Sequence, residues 1–123
     1  VKQVDPDATI YLGGLAYETF PGAPFDPTFL DDFMAAGGGN TFDVMNFHFY
    51  SAFHYVWDRF GHGVAGKANY LRSELKRYGF TKPIACTEIG HPTAGPAADK
   101  QDYSEDATSR YVAKGVIRAL ADD

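Results

Sequence analysis

Residues 83–90 have the sequence Pro-Ile-Ala-Cys-Thr-Glu-Ile-Gly, a short apolar run that ends in one carboxylate and a glycine. An apolar run of this length between Pro and Gly is typical of a parallel strand that is covered on both faces. Because an acid in the middle of such a strand would need a buried partner, we expect Glu88 where the strand stops. Regular alternation would put Ile84, Cys86 and Glu88 on one face and Thr87 on the other. The stretch therefore predicts a strand that brings a single acid to the rim of a sheet.

The rest of the chain divides into similar units of a strand followed by a helix, so that the units span residues 8–41, 42–79 and 80–123. The first opens with a predicted strand at residues 8–12, which closes on a pair of glycines. Strands that alternate with helices predict right-handed crossovers and one parallel sheet. The loops after the strands are the long ones, so we expect a site at the carboxyl ends of the strands. The predicted fold is one α/β domain of three βα units.

The predicted strand at residues 42–50 has two unlike faces. Alternation puts Val44 on one face together with the polar side chains of Asn46, His48 and Tyr50. It puts apolar side chains on the other, namely those of Met45, Phe47 and Phe49. We expect helices to cover the apolar face, which leaves the polar face for another purpose.

Apolar spacing and end signals predict the helices. Asp26, followed by proline, is expected to open the first helix, and Gly37 to close it. The second helix is expected over residues 64–78 with Gly79 as its terminator, and Ser104 is expected to cap the last helix. That last helix is predicted to bury an apolar side made of Tyr111, Val112, Val116, Ile117 and Leu120.

The composition argues against several classes of partner. A formal net charge of -5 and the absence of a dense Lys/Arg cluster argue against nucleic acid. No apolar run is long enough to predict a membrane span, and residues 1–5 lack the core of a signal peptide. The single cysteine, Cys86, excludes an internal disulfide and is interpreted as a small buried hydrophobe.

No cofactor is expected from the motifs. The Gly13-Gly14 pair lacks the G-x-G-x-x-G pattern of nucleotide sites. A zinc site would have to gather His48, Glu88 and His91, whose spacing matches no common ligand motif. We therefore expect neither a metal nor another cofactor.

Three stretches together resemble a known family: Gly-Gly-Leu-Ala at residues 13–16, Asp-Val-Met-Asn-Phe-His-Phe-Tyr at 43–50, and Lys-Pro-Ile-Ala-Cys-Thr-Glu-Ile-Gly at 82–90. The chain resembles the C-terminal half of a clan A glycoside hydrolase, similar to the family 39 and family 5-like retaining β-glycosidases. The resemblance covers nearly the whole chain, as strands five to seven of eight. The fold that it implies is a partial (β/α)8 TIM barrel.

The resemblance also implies roles for individual residues and a carbohydrate substrate. Glu88 corresponds to the catalytic nucleophile, and His48 and Tyr50 to residues that line the sugar site. Further substrate-binding candidates are Asn46, Trp57 and His91, the last of which stands where relatives commonly have Trp. In this clan the acid/base Glu is expected on strand four after an Asn, and the chain contains no Asn-Glu pair. The isolated chain is therefore expected to be inactive.

Structural roles are the alternatives for these side chains. Glu88 could pair with a Lys or Arg at the rim, and His48 could bond a carbonyl in the core. Asn46 could satisfy polar groups inside the barrel, and Trp57 could belong to the small core of its own loop. Glu18 is another carboxylate that follows a predicted strand, and we expect it on the surface.

A different class of function is the alternative to catalysis. An eight-unit barrel needs about 250 residues, so 123 residues cannot close one and would leave two strand edges open. The chain is then expected to be a fragment or part of an assembly. The alternative is a non-catalytic half-barrel, either sugar-binding or structural, that assembles through its open edges with another copy or with a missing barrel half. The compartment is left open, although secretion is common among the relatives.

Overall fold

The computed structural model describes residues 1–16, 25–93 and 103–121. These residues form an α/β structure with a two-stranded parallel sheet, whose strands are Met45–Tyr50 (β1) and Ile84–Gly90 (β2). The helices are Phe29–Ala35 (α1), Gly63–Arg77 (α2) and Glu105–Ala121 (α3), and short 3₁₀ helices lie at Gly38–Asn40, Ser51–Val56 and Asp58–Phe60. The prediction of a mixed α/β chain with parallel strands is thus confirmed at this level. None of the described helices is long and apolar enough to cross a membrane.

The predicted strand at residues 8–12 is not a strand. Residues 10–16, here named the edge segment, run alongside β1. Isolated parallel bridges join Tyr11 to Val44, the residue before β1, and Leu15 to Phe47 of β1. The backbone amide of Leu12 donates to the carbonyl of Val44 at 3.0 Å, which keeps the segment parallel to β1. The two glycines between the bridges weaken a regular ladder because glycine loses the most conformational freedom on folding.

The apolar face of β1 forms the middle of the core, as predicted. Met45, Phe47 and Phe49 are all at most 2% exposed. Other core side chains come from α1 and α2 and the loop after β1, and they include Leu30, Met34, Trp57, Val64, Leu71 and Leu75. Helix α2 begins and ends one residue before its predicted bounds, and Gly79 follows it with φ 79°, a left-handed conformation that glycine adopts at little cost.

Strand β2 contains a β-bulge that the sequence did not predict. Phe47 pairs with Cys86 and the next residue of β1, His48, pairs with Glu88, so Thr87 is an extra residue in β2. A bulge of this kind shifts the alternation of side chains by one position. The prediction that Cys86 and Glu88 share a face is therefore wrong.

The contacts of the bulged strand agree with this shift. Cys86 lies on the helix side, where it lines a small cavity together with Phe47 and Ala68, and burial raises the pKa of its thiol. Thr87 and Glu88 both lie on the opposite side, because the Thr87 hydroxyl donates to Asn46 Oδ1 at 2.8 Å and the Glu88 carboxylate contacts other side chains of that face of β1. After the bulge the alternation continues in the shifted phase, since Glu88 lies on the polar face and Ile89 packs against Gly115 of the last helix.

The expected cover on both faces of β2 is also wrong. Thr87 and Glu88 are exposed and the other residues of β2 are half-buried. Within the described residues β2 pairs with β1 alone, so its second edge has no strand neighbour. The chain therefore places its candidate acid on an outer strand.

Helix α3 is capped as predicted, since the amide of Ala107 donates to Ser104 Oγ at 3.1 Å. Its predicted buried side is largely wrong. Gly115 is buried against Ile89, and Tyr111 is half-buried. The remaining members of that side are 39–74% exposed, namely Val112, Val116, Ile117 and Leu120. The helix contacts the sheet through a narrow strip, and its apolar stripe lies beside that strip rather than on it.

Candidate functional site

The carboxylate of Glu88 is held by two side chains of β1. Nδ1 of His48 lies 2.8 Å from Oε2 of Glu88, and the hydroxyl of Tyr50 donates to Oε1. In the tautomer with a proton on Nδ1, His48 is also a donor, so each carboxylate oxygen accepts one hydrogen bond. The Glu88 side chain is still 48% exposed. The structure therefore brings together the predicted nucleophile and its two predicted neighbours, with the acid accessible from solvent.

Two glycines make room for these neighbours. A Cβ atom on Gly14, in the edge segment, would overlap the imidazole of His48. A Cβ atom on Gly90, at the end of β2, would lie 2.7 Å from the Tyr50 ring. These glycines are consequently part of the site, because side chains at these positions would displace the donors of Glu88.

Asn46 lies on the same face but deeper, and it is 7% exposed. Its Oδ1 accepts the hydrogen bond from Thr87 and so joins β1 to the bulge of β2. This contact fits the alternative in which Asn46 satisfies an interior polar group.

His91 lies just beyond the end of β2 and contacts a different set of groups. Its Nδ1 is hydrogen-bonded to the hydroxyl of Ser51, and its ring stacks on Tyr111 with centroids 5.1 Å apart. Ser51 and Tyr111 also line a groove of about 1050 Å³ that extends along His54 and Arg118. His91 thus lies between the strand end that bears Glu88 and this groove.

Trp57 does not reach the surface. It is 1% exposed, and its ring centroid lies 4.9 Å from that of Tyr70. This position does not fit the predicted role as a sugar platform. Because Tyr70 lies on α2, Trp57 belongs to the main core rather than to a small core of its own loop.

Two further expectations concern charges near Glu88. In the part of the chain that the structure describes, no Lys or Arg pairs with Glu88, and no group of three His, Cys, Asp or Glu side chains is placed to hold a metal ion. Glu18 and most of the loop after β2 lie outside the described residues.

The sequence reasoning missed Lys67, a fully buried lysine of α2. Its ammonium group donates to the carbonyls of Leu15 at 2.9 Å and His48 at 3.2 Å, and to that of Ala16. The sequence did contain a sign of this burial. Lys67 lies in the same helical row as Val64, Leu71 and Leu75, and all three of those residues are buried.

A carboxylate that is fixed at a strand end and reachable from solvent can act as a nucleophile or as a general base. The contacts with Tyr50 and His48 fix the orientation of the Glu88 carboxylate, and with it the direction in which its free lone pairs face a ligand. Comparisons of the chain with protein-family models, with curated proteins and with solved structures found no match.

Proposed function

We propose that this chain is the nucleophile-bearing part of a retaining glycoside hydrolase that cleaves O-glycosidic bonds of β-linked sugars, and that its α/β structure is part of a (β/α)8 barrel. The single observation that supports this proposal is the Glu88 carboxylate, which accepts hydrogen bonds from Tyr50 and His48 and is half-exposed at the carboxyl end of β2. The family resemblance of residues 82–90 assigns the same residue.

The proposed reaction has two steps and two carboxyl groups. Glu88 attacks the anomeric carbon, so that a bond from its oxygen to the sugar forms while the glycosidic bond breaks. A second carboxyl group, about 5 Å away in retaining enzymes, gives its proton to the leaving oxygen. That group then takes a proton from water as the water displaces Glu88 from the sugar. Tyr50 and His48 hold the Glu88 oxygens in the direction of attack during both steps.

The second carboxyl group is expected from a strand other than β1 and β2, as the resemblance implies. Loss of a general acid typically lowers the rate by about 10² to 10⁴-fold. The 123-residue chain is accordingly expected to show no turnover of unactivated glycosides. His91, with its ring against Tyr111, supplies one wall of the sugar site, since sugar C–H faces pack on flat rings.

The test is covalent trapping rather than turnover. An activated 2-fluoro glycoside carries its own good leaving group, so it can label a nucleophile without the general acid. We expect mass spectrometry of the labelled chain, or of a longer polypeptide that contains it, to locate one sugar adduct on Glu88. Glu88→Gln should abolish the adduct, whereas Glu105→Gln, at the exposed start of α3, should leave it unchanged. Turnover of aryl glycosides that survives Glu88→Gln, or an adduct on another residue, would contradict the assignment.

A second candidate function is a non-catalytic, assembling half-barrel. It is favoured by the edge of β2 that has no strand neighbour among the described residues and by the exposed apolar side chains of α3, of which Leu120 is 74% exposed. Size-exclusion chromatography over a range of concentrations tests it. A monomer that stays soluble at every concentration would exclude this candidate.

A further inference from the structure

We propose that Lys67 is a positioning residue that fixes the imidazole of His48 against Glu88. Lys67 lies on α2, on the helix side of the sheet, and its ammonium group reaches the carboxyl end of β1. There it donates to carbonyls of both β1 and the edge segment, at His48 and Leu15. One ammonium group thus ties together the backbones that flank the His48 side chain.

The geometry connects this tie to the imidazole in two ways. The amide of His48 donates to the carbonyl of Leu15 at 2.9 Å, the same oxygen that accepts from Lys67. Gly14, the residue before Leu15, lies so close to the His48 ring that a Cβ atom there would overlap it. The imidazole is therefore confined between Gly14 on one side and Glu88 on the other. Lys67 fixes the backbone of the edge segment next to Gly14 through its hydrogen bond to the carbonyl of Leu15.

A purely structural role explains the lysine less well. Its ammonium group lies beside two aromatic rings, with Nζ 5.1 Å from the Trp57 centroid and 5.9 Å from that of Phe47. An apolar side chain of similar length would fill this space without the cost of removing an ammonium ion from water. The ammonium group supplies what Met or Leu cannot, which is a donor that several converging carbonyls share.

The consequence of this positioning for catalysis rests on the proposed function, whereas the positioning itself does not. The test therefore reads the imidazole directly. The ¹⁵N chemical shifts of the His48 ring at neutral pH report its tautomer and the hydrogen bond at Nδ1. In the parent chain we expect the ¹⁵N shifts of a single tautomer that is hydrogen-bonded at Nδ1, and in Lys67→Met we expect shifts averaged over both tautomers. We also expect Glu88→Gln to change the His48 shifts less in the Lys67→Met background than in the parent chain.

Lys82→Met is the matched control. Lys82 also donates to a backbone carbonyl, that of Phe42 at 2.7 Å, and also lies over aromatic rings, but at the amino end of the sheet. It should lower stability without changing the His48 signals. Unchanged His48 signals in folded Lys67→Met would overturn the proposal, whether or not the Glu88 adduct forms.

A measurement on the unmodified chain covers the case in which Lys67→Met does not fold. The ¹⁵Nζ signal of Lys67 should show protons that exchange slowly with water, in contrast to those of Lys76, which is exposed on the same helix. Exchange at Lys67 as fast as at Lys76 would show that the tie to the carbonyls does not hold, and would overturn the proposal as well.

Discussion

Helices α2 and α3 have similar lengths, 15 and 17 residues, and each follows a strand of the same sheet. Among the described residues, however, α2 alone buries a row of apolar side chains. Helix α2 buries Val64, Leu71 and Leu75, whereas Gly115 is the buried residue of α3 within the described chain. Both helices have an apolar periodicity. The comparison teaches that periodicity identifies the apolar face of a helix, while burial depends on whether another element lies against that face.

The largest expected effect comes from truncating the covered helix. Leu71 is fully buried, so Leu71→Ala should lower the free energy of unfolding by about 2–5 kcal/mol. The loss combines the apolar area returned to water with the cavity that remains. Urea denaturation of the variant and the parent chain measures it. A loss as small as that of an exposed leucine would remove the distinction between the two helices.

Enlarging the contact strip of α3 should have a smaller effect. A Cβ atom on Gly115 would lie 2.7 Å from Cδ1 of Ile89, so Gly115→Leu should push α3 away from β2 at a cost of about 1–3 kcal/mol. Amide hydrogen exchange should increase along α3 and not along α2. Ala113→Leu adds the same side chain at an exposed position of α3 and serves as the control.

High pH should weaken the attachment of α3. Burial raises the pKa of Tyr111 to about 12 from an ordinary value of 10.0. Below pH 10 this tyrosine is neutral in both states, and its contribution to stability is fully present. Between pH 10 and about 12 the unfolded chain loses the proton that the folded chain still keeps, so the contribution falls and is lost once the pH passes the folded pKa.

Tyrosinate absorbance and circular dichroism between these pH values measure that change. Tyr111→Phe should remove the late titration component, whereas Tyr11→Phe, at a position that is 52% exposed, should retain it. A late component that persists in Tyr111→Phe would contradict the assignment to the α3 contact.

The smallest expected effect on stability comes from the apolar stripe of α3. Ile117 is 67% exposed, so Ile117→Lys should change the free energy of unfolding by less than about 0.5 kcal/mol. Self-association should decrease in the same variant if the stripe is an interface, and light scattering measures this. A large loss of stability would mean that the stripe is covered within one chain.

The local features of the fold could be predicted from the sequence, and the pairings could not. The alternation in β1 correctly predicted which side chains meet the core, and Gly79 correctly marked the end of α2, because both depend on neighbours in the chain. The bulge at Thr87 depends on the register with β1, which no pattern within residues 83–90 reveals. The exposure of α3 likewise depends on what lies against it.

In the candidate site, too, the features set by neighbours in the chain could be predicted, and those set by contacts between distant segments could not. The position of Glu88 at a strand end and the polar face of β1 were visible in the sequence, and the structure brings these groups together. Gly14 and Lys67 were not assigned to the site, because their part in it comes from contacts between distant segments. A lysine inside an apolar helical row is the signal that could have identified one of them.

The extra residue in β2 has a consequence for anyone who redesigns this strand. Because Thr87 is an extra residue, the positions after it face the side of the sheet opposite to the one that strict alternation from Ile84 would predict. A sequence profile built on strict alternation would assign Glu88 to the hydrophobic interior and would favour replacing it by an aliphatic residue. The two halves can instead be varied separately, with packing as the criterion for Ile84 and Cys86, and with ligand geometry as the criterion for Glu88.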